Sequence, residues 1–244
     1  MEKLDKLYEC IFGDYKVVVI TGAGISTLSG IPDFRGDNGL YSKGDEAAFM
    51  LSFPCFKFRQ EAFYNFYKDK MMKPGVKPNI IHEVLAKLEE RGLINCIITQ
   101  NIDGLHSEAG SKNVVELHGN GNKFYCVNCF TSHNVSHYLE SNKCKICGGI
   151  VRPDIVLYNE CVKYDNGEDA FNAVYEADKI IVLGSTLSVP TVANLVRMFI
   201  NHKVDFSPDD LFIINKGRTW FDGFATTFDE DLEDVFKKIK SCGK

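Results

Sequence analysis

No apolar run in this sequence approaches the ~18–20 residues that carry a helix across a bilayer. An integral helical membrane protein is therefore excluded. A surplus of positive charge is also missing: the formal net charge is −5 over 244 residues. A general nucleic-acid binder is disfavoured, because phosphate recognition draws on a basic face. The opening residues Met1-Glu2-Lys3-Leu4-Asp5-Lys6 are charged where a secretory signal would be apolar. A soluble, cytoplasmic protein with no membrane partner and no direct nucleic-acid partner is expected. Internal repeats and low-complexity tracts are missing too, so the chain reads as one large globular unit or two modest ones.

One further lack bears on function. The apolar run Val17-Val18-Val19-Ile20 empties into Thr21-Gly22-Ala23-Gly24-Ile25-Ser26, which is how α/β proteins bring backbone N–H groups to a diphosphate. A helix starting at Ile25-Ser26 would add its dipole. Yet the third fingerprint position holds Thr27 instead of glycine or alanine, and Asp45 and Glu46 follow no second strand. A plain dinucleotide dehydrogenase would complete its βαβ unit within about 30 residues and end the second strand on an acid. The glycine loop also has an ordinary reading as a tight turn. Its tail does not: Pro32-Asp33-Phe34-Arg35 sets an acid, an aromatic face and a guanidinium in succession.

Along the chain, residues 2–12 read as an amphipathic helix and 16–20 as the first strand. A helical run extends over 53–72, in which Phe56, Phe63, Phe66 and Tyr67 share one face. That stripe is either a core face or the lining of an apolar channel. A helix over 79–90 ends at Gly92, and strands follow at 93–98 and 114–117. The α/β pattern resumes after Arg152-Pro153, with helices near 168–176 and 191–200, strands at 179–183 and 211–214, and a last helix at 229–240. Alternating strands and helices predict a doubly wound, mostly parallel, Rossmann-like α/β sheet. The expected division is 1–36, 76–118 and 152–244 for that sheet, with 37–75 and 119–151 forming a smaller domain, a helical insert plus a zinc ribbon.

Nine cysteines are present. Cys10, Cys55, Cys96, Cys161 and Cys242 are scattered and read as packing or surface residues. The others form Cys126-x-x-Cys129, fourteen intervening residues, then Cys144-x-x-Cys147. Paired knuckles of soft thiolates suit one tetrahedral, structural Zn²⁺ with no open position; two disulfides or a redox pair are the alternatives. His133 and His137 lie within this module and, with four thiolates already available, are expected to face solvent.

Ligands of open α/β sheets bind beyond the carboxyl ends of the strands. Strand 93–98 leads into Thr99-Gln100-Asn101-Ile102-Asp103-Gly104-Leu105-His106, and strand 114–117 into His118-Gly119. Gln100, Asn101 and Asp103 offer groups for ribose hydroxyls or a carboxamide, although Asp103 also suits a helix cap. His118 is the favoured general base and His106 its rival. Gly184-Ser185-Thr186 and Asn215 end the later strands, so a ligand of dinucleotide size is implied.

These residues together resemble the sirtuins, the NAD-dependent protein lysine deacylases. The resemblance rests on Gly22-Ala23-Gly24-Ile25-Ser26, Gly30-Ile31-Pro32-Asp33-Phe34-Arg35-Gly36, Gly39-Leu40-Tyr41, Thr99 through His106, Glu116-Leu117-His118-Gly119, the cysteine quartet, and Arg152-Pro153-Asp154-Ile155-Val156. It implies NAD as cosubstrate, one structural Zn²⁺ and acyl-lysine proteins or peptides as substrates. On that resemblance Gly22, Ala23, Gly24, Asp33 and Arg35 hold NAD and its diphosphate. Ala23, Ile31, Phe34, Ile102 and Asp103 surround the nicotinamide, and Gln100 and Asn101 lie near its ribose. Gly184, Ser185, Asn215 and the Asp231-Leu232 backbone hold phosphates and adenosine. His118, Asn101 and Asp103 are the catalytic set, with His118 as base. Residues 153–158 and 186–190, including Ile155, Val156, Tyr158, Leu187 and Val189, grip an extended peptide as an added strand.

The implied reaction moves the acyl group from lysine to ADP-ribose with release of nicotinamide. Protein mono-ADP-ribosylation and a non-catalytic NAD or acyl-lysine module are the alternatives. Tyr158-Asn159-Glu160 stands where the family usually has Phe-Gly-Glu. On the aromatic helix Tyr64 is followed three residues later by Tyr67, where family members that remove acidic acyl groups carry Arg. A carboxylate then lacks its bidentate partner, and neutral acyl groups are expected.

Overall fold

The computed structural model describes residues 2–33, 39 and 46–242. Phe34, Arg35, Gly36, Leu40, Tyr41 and Asp45, named above, lie outside the described residues.

The strands are β1 (Val17–Thr21), β2 (Cys96–Thr99), β3 (Val114–Glu116), β4 (Gly119–Cys126), β5 (Ser132–His133), β6 (Val151–Ile155), β7 (Lys179–Leu183), β8 (Leu211–Ile214) and β9 (Thr226–Phe228). The α-helices are α1 (Lys3–Phe12), α2 (Glu46–Met50), α3 (Phe53–Phe58), α4 (Gln60–Phe66), α5 (Ile80–Glu90), α6 (Leu105–Glu108), α7 (Val135–Glu140), α8 (Tyr164–Tyr175), α9 (Pro190–His202) and α10 (Leu232–Cys242).

Six strands form one sheet in the order β3-β2-β1-β7-β8-β9, and each of its pairings is parallel. Its strands read as continuous apolar runs because both faces are covered. Side chains alternate between the faces with the strand's period of two. Val17, Val19, Ile181, Phe212 and Ile214 pack with α1, α5 and α10. Val18, Ile20, Ile180, Val182, Leu211 and Ile213 pack with α8 and α9. The expected doubly wound α/β architecture is what forms.

The second sheet is antiparallel, in the order β5-β4-β6, and its third strand runs over Val151–Ile155. Arg152 and Pro153 belong to this sheet, pairing with Tyr125 and Phe124 of β4, and the α/β pattern resumes after them with α8 and β7. The expected helical run 53–72 is interrupted. Ser52 caps α3 by accepting from the Cys55 N–H at 3.3 Å, Arg59 leaves the helical region at φ −136°, ψ 51°, and α4 then passes into a π-helical turn over Tyr67–Met71. The stripe on these pieces is a core. Phe56, Phe63 and Tyr67 are buried with Phe124, Tyr138, Cys126, Cys144 and Val151.

The chain after β1 forms a 3-10 helix over Ala23–Ser29, not the regular helix expected from Ile25, and it is closed by Gly30 at φ 85°. That turn locks against the one after β7. Gly22 N–H donates to Leu183 O at 3.0 Å and Gly24 N–H to Gly184 O at 2.9 Å. A Cβ on Gly24 would lie 2.7 Å from Gly184 Cα. A Cβ on Gly184, whose φ is +59°, would lie 2.7 Å from the Ile25 nitrogen. The glycines serve first to let two strand tips touch.

Candidate active site at the strand tips

A cavity of about 740 Å³ opens along the carboxyl ends of the parallel strands, within the range of ligand sites. Its walls are Gly22, Ala23, Gly24 and Asp33 after β1, Gln100, Asn101 and Ile102 after β2, and His118 after β3. Gly184, Ser185 and Thr186 after β7 and Asn215, Lys216 and Gly217 after β8 complete that side. The segment 155–160, with Ser188, Val189 and Pro190, forms the opposite wall. A second cavity of about 360 Å³ shares Ala23, Asn101 and Ile102 and adds Ser26, Ile31, Pro32, Tyr67 and Asp103.

The wall between the two cavities is a hydrogen-bonded unit. Asn101 Nδ2 donates to Gly22 O and to Ser26 Oγ, both at 3.1 Å. The Gly22 carbonyl only accepts, so the amide's orientation is set and Asn101 Oδ1 is its remaining polar atom. Ser26 Oγ donates in turn to Asp103 Oδ2 at 2.7 Å. Asp103 Oδ1 accepts the Leu105 N–H at 2.9 Å, so Asp103, one residue before the Gly104 cap, both ties down the first N–H of α6 and walls the smaller cavity. Gln100 Nε2 donates to Ser185 Oγ at 2.8 Å and joins the β2 and β7 tips.

The two candidate bases separate. His118 lines the larger cavity, and its Nδ1 lies 3.1 Å from Gln100 O. A carbonyl cannot donate, so Nδ1 carries the proton and Nε2 is the basic nitrogen. Burial lowers the His118 pKa from its ordinary 6.5, outweighing the bond to Gln100. His106 is only 2% exposed and its Nε2 pairs with Thr21 Oγ1 at 3.0 Å. Burial, with the adjacent His82, pushes its pKa down to about 3. His106 lines neither cavity; it is a core histidine.

Ile155, Val156, Tyr158 and Val189 reach the larger cavity. Leu187 does not: it is 1% exposed, adopts φ 53°, and turns into the core beneath α8 and α9. Tyr64 also stays away, its hydroxyl donating to Leu139 O at 3.2 Å and its ring edge-on to Tyr138. Tyr67 borders the smaller cavity but is buried, with its hydroxyl donating to Gly121 O at 3.2 Å. Asp231 pairs with Lys216 at 2.7 Å and accepts the Glu233 N–H at the start of α10. Leu232 packs on the core of that face. Neither lines either of these two cavities. Leu51, Met71, Lys216 and Glu160 line the larger cavity and were not foreseen. Lys216 had a signal in its place directly after the strand-end Asn215, and Glu160 in the Tyr158-Asn159-Glu160 motif.

The four cysteines converge. The sulfurs of Cys126, Cys129, Cys144 and Cys147 all lie within 4.8 Å of one another, with Cys126–Cys147 at 3.5 Å and Cys129–Cys144 at 3.6 Å. A tetrahedral Zn²⁺ with Zn–S of about 2.3 Å sets sulfurs ~3.8 Å apart, so the quartet fits that ion. The N–H groups of Asn128 and Ile146 each donate to a cysteine sulfur at 3.4 Å, an arrangement that favours thiolates. The two histidines here are not solvent-facing as expected. His133 Nε2 is 3.3 Å from Cys144 Sγ, and His137 is buried, bonded to Lys143 O at 2.8 Å. His133 lies on β5 and His137 on the short α7, and their rings sit 4.5 Å apart.

A doubly wound parallel sheet whose tips open on a long cleft, joined to a four-cysteine antiparallel module, is the class that fold and site define. Residues 22–191 match the Sir2 family, and the chain belongs to that family. An NAD-dependent protein deacetylase of Clostridium perfringens is 44% identical over 98% of both chains. One of Thermotoga maritima is 42% identical over 93% of this chain and 92% of its own. Among solved structures, a Sir2 variant with a deacetylated p53 peptide and 3′-O-acetyl ADP-ribose superposes with a TM-score of 0.90, at 38% identity and 99% coverage of both chains. Sir2 with a p53 peptide and NAD⁺ gives 0.86 at 37% identity, covering 100% of this chain and 99% of its own.

Elemental analysis of the purified protein is expected to find one zinc per chain. Replacing Cys126 and Cys129 together by Ser should remove it and lower stability by several kcal/mol, because metal binding is part of this module's folding free energy. An unchanged melting temperature with no zinc would contradict a structural role.

Proposed function

We propose that this protein is an NAD-dependent protein lysine deacetylase, moving the acyl group from lysine to ADP-ribose as nicotinamide leaves. The observation that carries this reading is His118: an imidazole with a bare Nε2, set between the Gly22–Gly24 turn and the 155–158 wall. NAD supplies an activated ribose with nicotinamide as its leaving group.

The chain's own residues do the rest. Gly22, Ala23 and Gly24 present backbone to the diphosphate together with Gly184 and Ser185, and Asn215 and Lys216 extend this line toward the adenosine. The smaller cavity holds the nicotinamide end, with Asp103 placed for the carboxamide and Asn101 Oδ1 facing the ribose side. His118 Nε2 accepts a proton from a ribose hydroxyl, and Gln100 O keeps the other nitrogen protonated as that happens. Asp33 joins the phosphate wall; the roles of Phe34 as a water shield and Arg35 as a diphosphate contact rest on the family pattern. Ile155, Val156, Tyr158 and Val189 form the peptide edge. Asp231 and Leu232 act indirectly, Asp231 by holding Lys216. The division into a large unit and a smaller one, 37–75 with 119–151 and extended through β6, would place the peptide edge where the two meet. We place the enzyme in the cytoplasm, the reducing setting that free zinc-binding thiolates require.

The acyl group would meet Leu51, Met71, Ile102, Ile155 and Val156, all of which border the larger cavity. Tyr64 and Tyr67 have their hydroxyls engaged elsewhere. An acidic acyl chain would therefore bury a carboxylate without a partner. On one peptide backbone, kcat/KM for acetyl-lysine should exceed that for succinyl-lysine by about a hundredfold, or ~2.7 kcal/mol; equal values would contradict the neutral preference.

Replacing His118 by Ala should reduce turnover by at least about a thousandfold while NAD affinity stays within a few fold. Unimpaired turnover would remove His118 as the base. Since burial lowers its pKa, His118 is neutral and competent at pH 7, and the acid limb of kcat/KM should have its midpoint below 6.5. A midpoint above 6.5 would show a different group titrating.

A further inference from the structure

The segment that forms the peptide wall is organised around one buried guanidinium. Arg152, on β6, is 6% exposed and Glu160 is 21% exposed. Arg152 Nη1 donates to Glu160 Oε1 at 2.7 Å and Nη2 to Oε2 at 2.8 Å, a bidentate pair. Nη2 also donates to Ile155 O at 2.9 Å and Nε to Pro153 O at 3.4 Å. The guanidinium lies over the Phe56 ring at 4.8 Å and near Tyr125 at 6.0 Å. Glu160 Oε2 accepts the Leu157 N–H at 2.9 Å, and Glu160 N–H donates to Leu157 O at 3.0 Å. Burial alone would raise the Glu160 carboxyl; the bonds from Arg152 and Leu157 win, and its pKa is lowered.

The far side of the loop is tied to the helical insert. Tyr158 N–H donates to Leu51 O at 3.0 Å and Phe53 N–H to Tyr158 O at 2.9 Å. Val156 N–H donates to His118 O at 2.9 Å, joining the loop to the backbone of the base. Among the described residues the Val156 carbonyl takes no hydrogen bond from the chain, and Val156 borders the larger cavity. The Leu157 and Tyr158 backbone groups on its C-terminal side are engaged, so the Val156 carbonyl is left as an unpaired acceptor on a residue that borders the cavity and is bonded to the His118 backbone. An ion pair this well ordered needs a reason, because a buried pair is weak support for stability in itself.

We propose that Arg152 and Glu160 are positioning residues for the substrate: on the peptide-binding reading given above, the pair holds residues 155–158 as a preformed receiving edge beside His118. The sequence departure at Tyr158-Asn159 is accommodated by the same device. Asn159 takes the left-handed turn at φ 68°, which asparagine tolerates better than most residues, and Glu160 stays in place.

The test is steady-state kinetics of the zinc-loaded enzyme with an acetyl-lysine peptide and NAD varied in turn. Glu160→Gln loses the charge and one arm of the pair. Its peptide KM should rise about tenfold while kcat and the NAD KM stay within about twofold, since binding alone is lost. Arg152→Met/Glu160→Leu leaves no unpaired charge and keeps the variant foldable; it should show the same rise in peptide KM. An unchanged peptide KM, or an equal rise in the NAD KM, in either folded variant overturns the proposal. A photo-crosslinking peptide, with benzoylphenylalanine next to the acetyl-lysine, checks the underlying reading in the wild-type enzyme. Labelling at 155–158 supports that reading, so that an unchanged KM would then overturn the clamp alone. Labelling elsewhere overturns the peptide edge and, with it, the clamp.

Discussion

The contact on which the rest of the site depends is between two backbone turns. Gly24 and Gly184 touch where no Cβ fits, and their hydrogen bonds fasten the β1 tip to the β7 tip. From this lock the remaining polar groups take their positions. Gly22 O orients the Asn101 amide, Ser185 receives Gln100, and Gln100 O fixes the His118 tautomer. A change at either glycine would be felt at His118 through this chain of directional bonds.

The smaller module meets a different constraint. Its sheet has only three strands, of 8, 2 and 5 residues, and its core is a group of aromatic rings with three cysteines and a few aliphatic side chains. A sheet of that size has little apolar surface to bury, and a metal held by the four thiolates would supply what packing does not. The same module carries β6, and β6 carries Arg152. On our proposal the aromatic core and the ion pair act together to present residues 155–158, which border the cleft.

Much of this was legible in the sequence, where period and residue chemistry agreed. The strands 179–183 and 211–214 form as read, because a doubly covered parallel strand is a bare apolar run. The cysteine quartet was legible because spacing alone defines a knuckle. The small sheet was not: β4 contains Gly119, Asn120, Gly121, Asn122 and Lys123, with no alternation to mark it. Leu187 was expected at the peptide edge on the family resemblance, but a left-handed backbone turns it inward. His118 and His106 were ranked by position, and only burial separated them. Arg152–Glu160 left a trace in the sequence, yet pairing across eight residues through a turn is not a periodic signal.

The central claim is that the cleft couples NAD cleavage to removal of an acyl group. NAD labelled in its adenylate phosphate, incubated with the acetylated and the unmodified form of one peptide, tests it most directly. The account predicts that nicotinamide is released only with the acetylated peptide, and that the label leaves as a small acyl-ADP-ribose in equal amount. Label fixed on peptide or protein, or nicotinamide released without regard to the acetyl group, would contradict it.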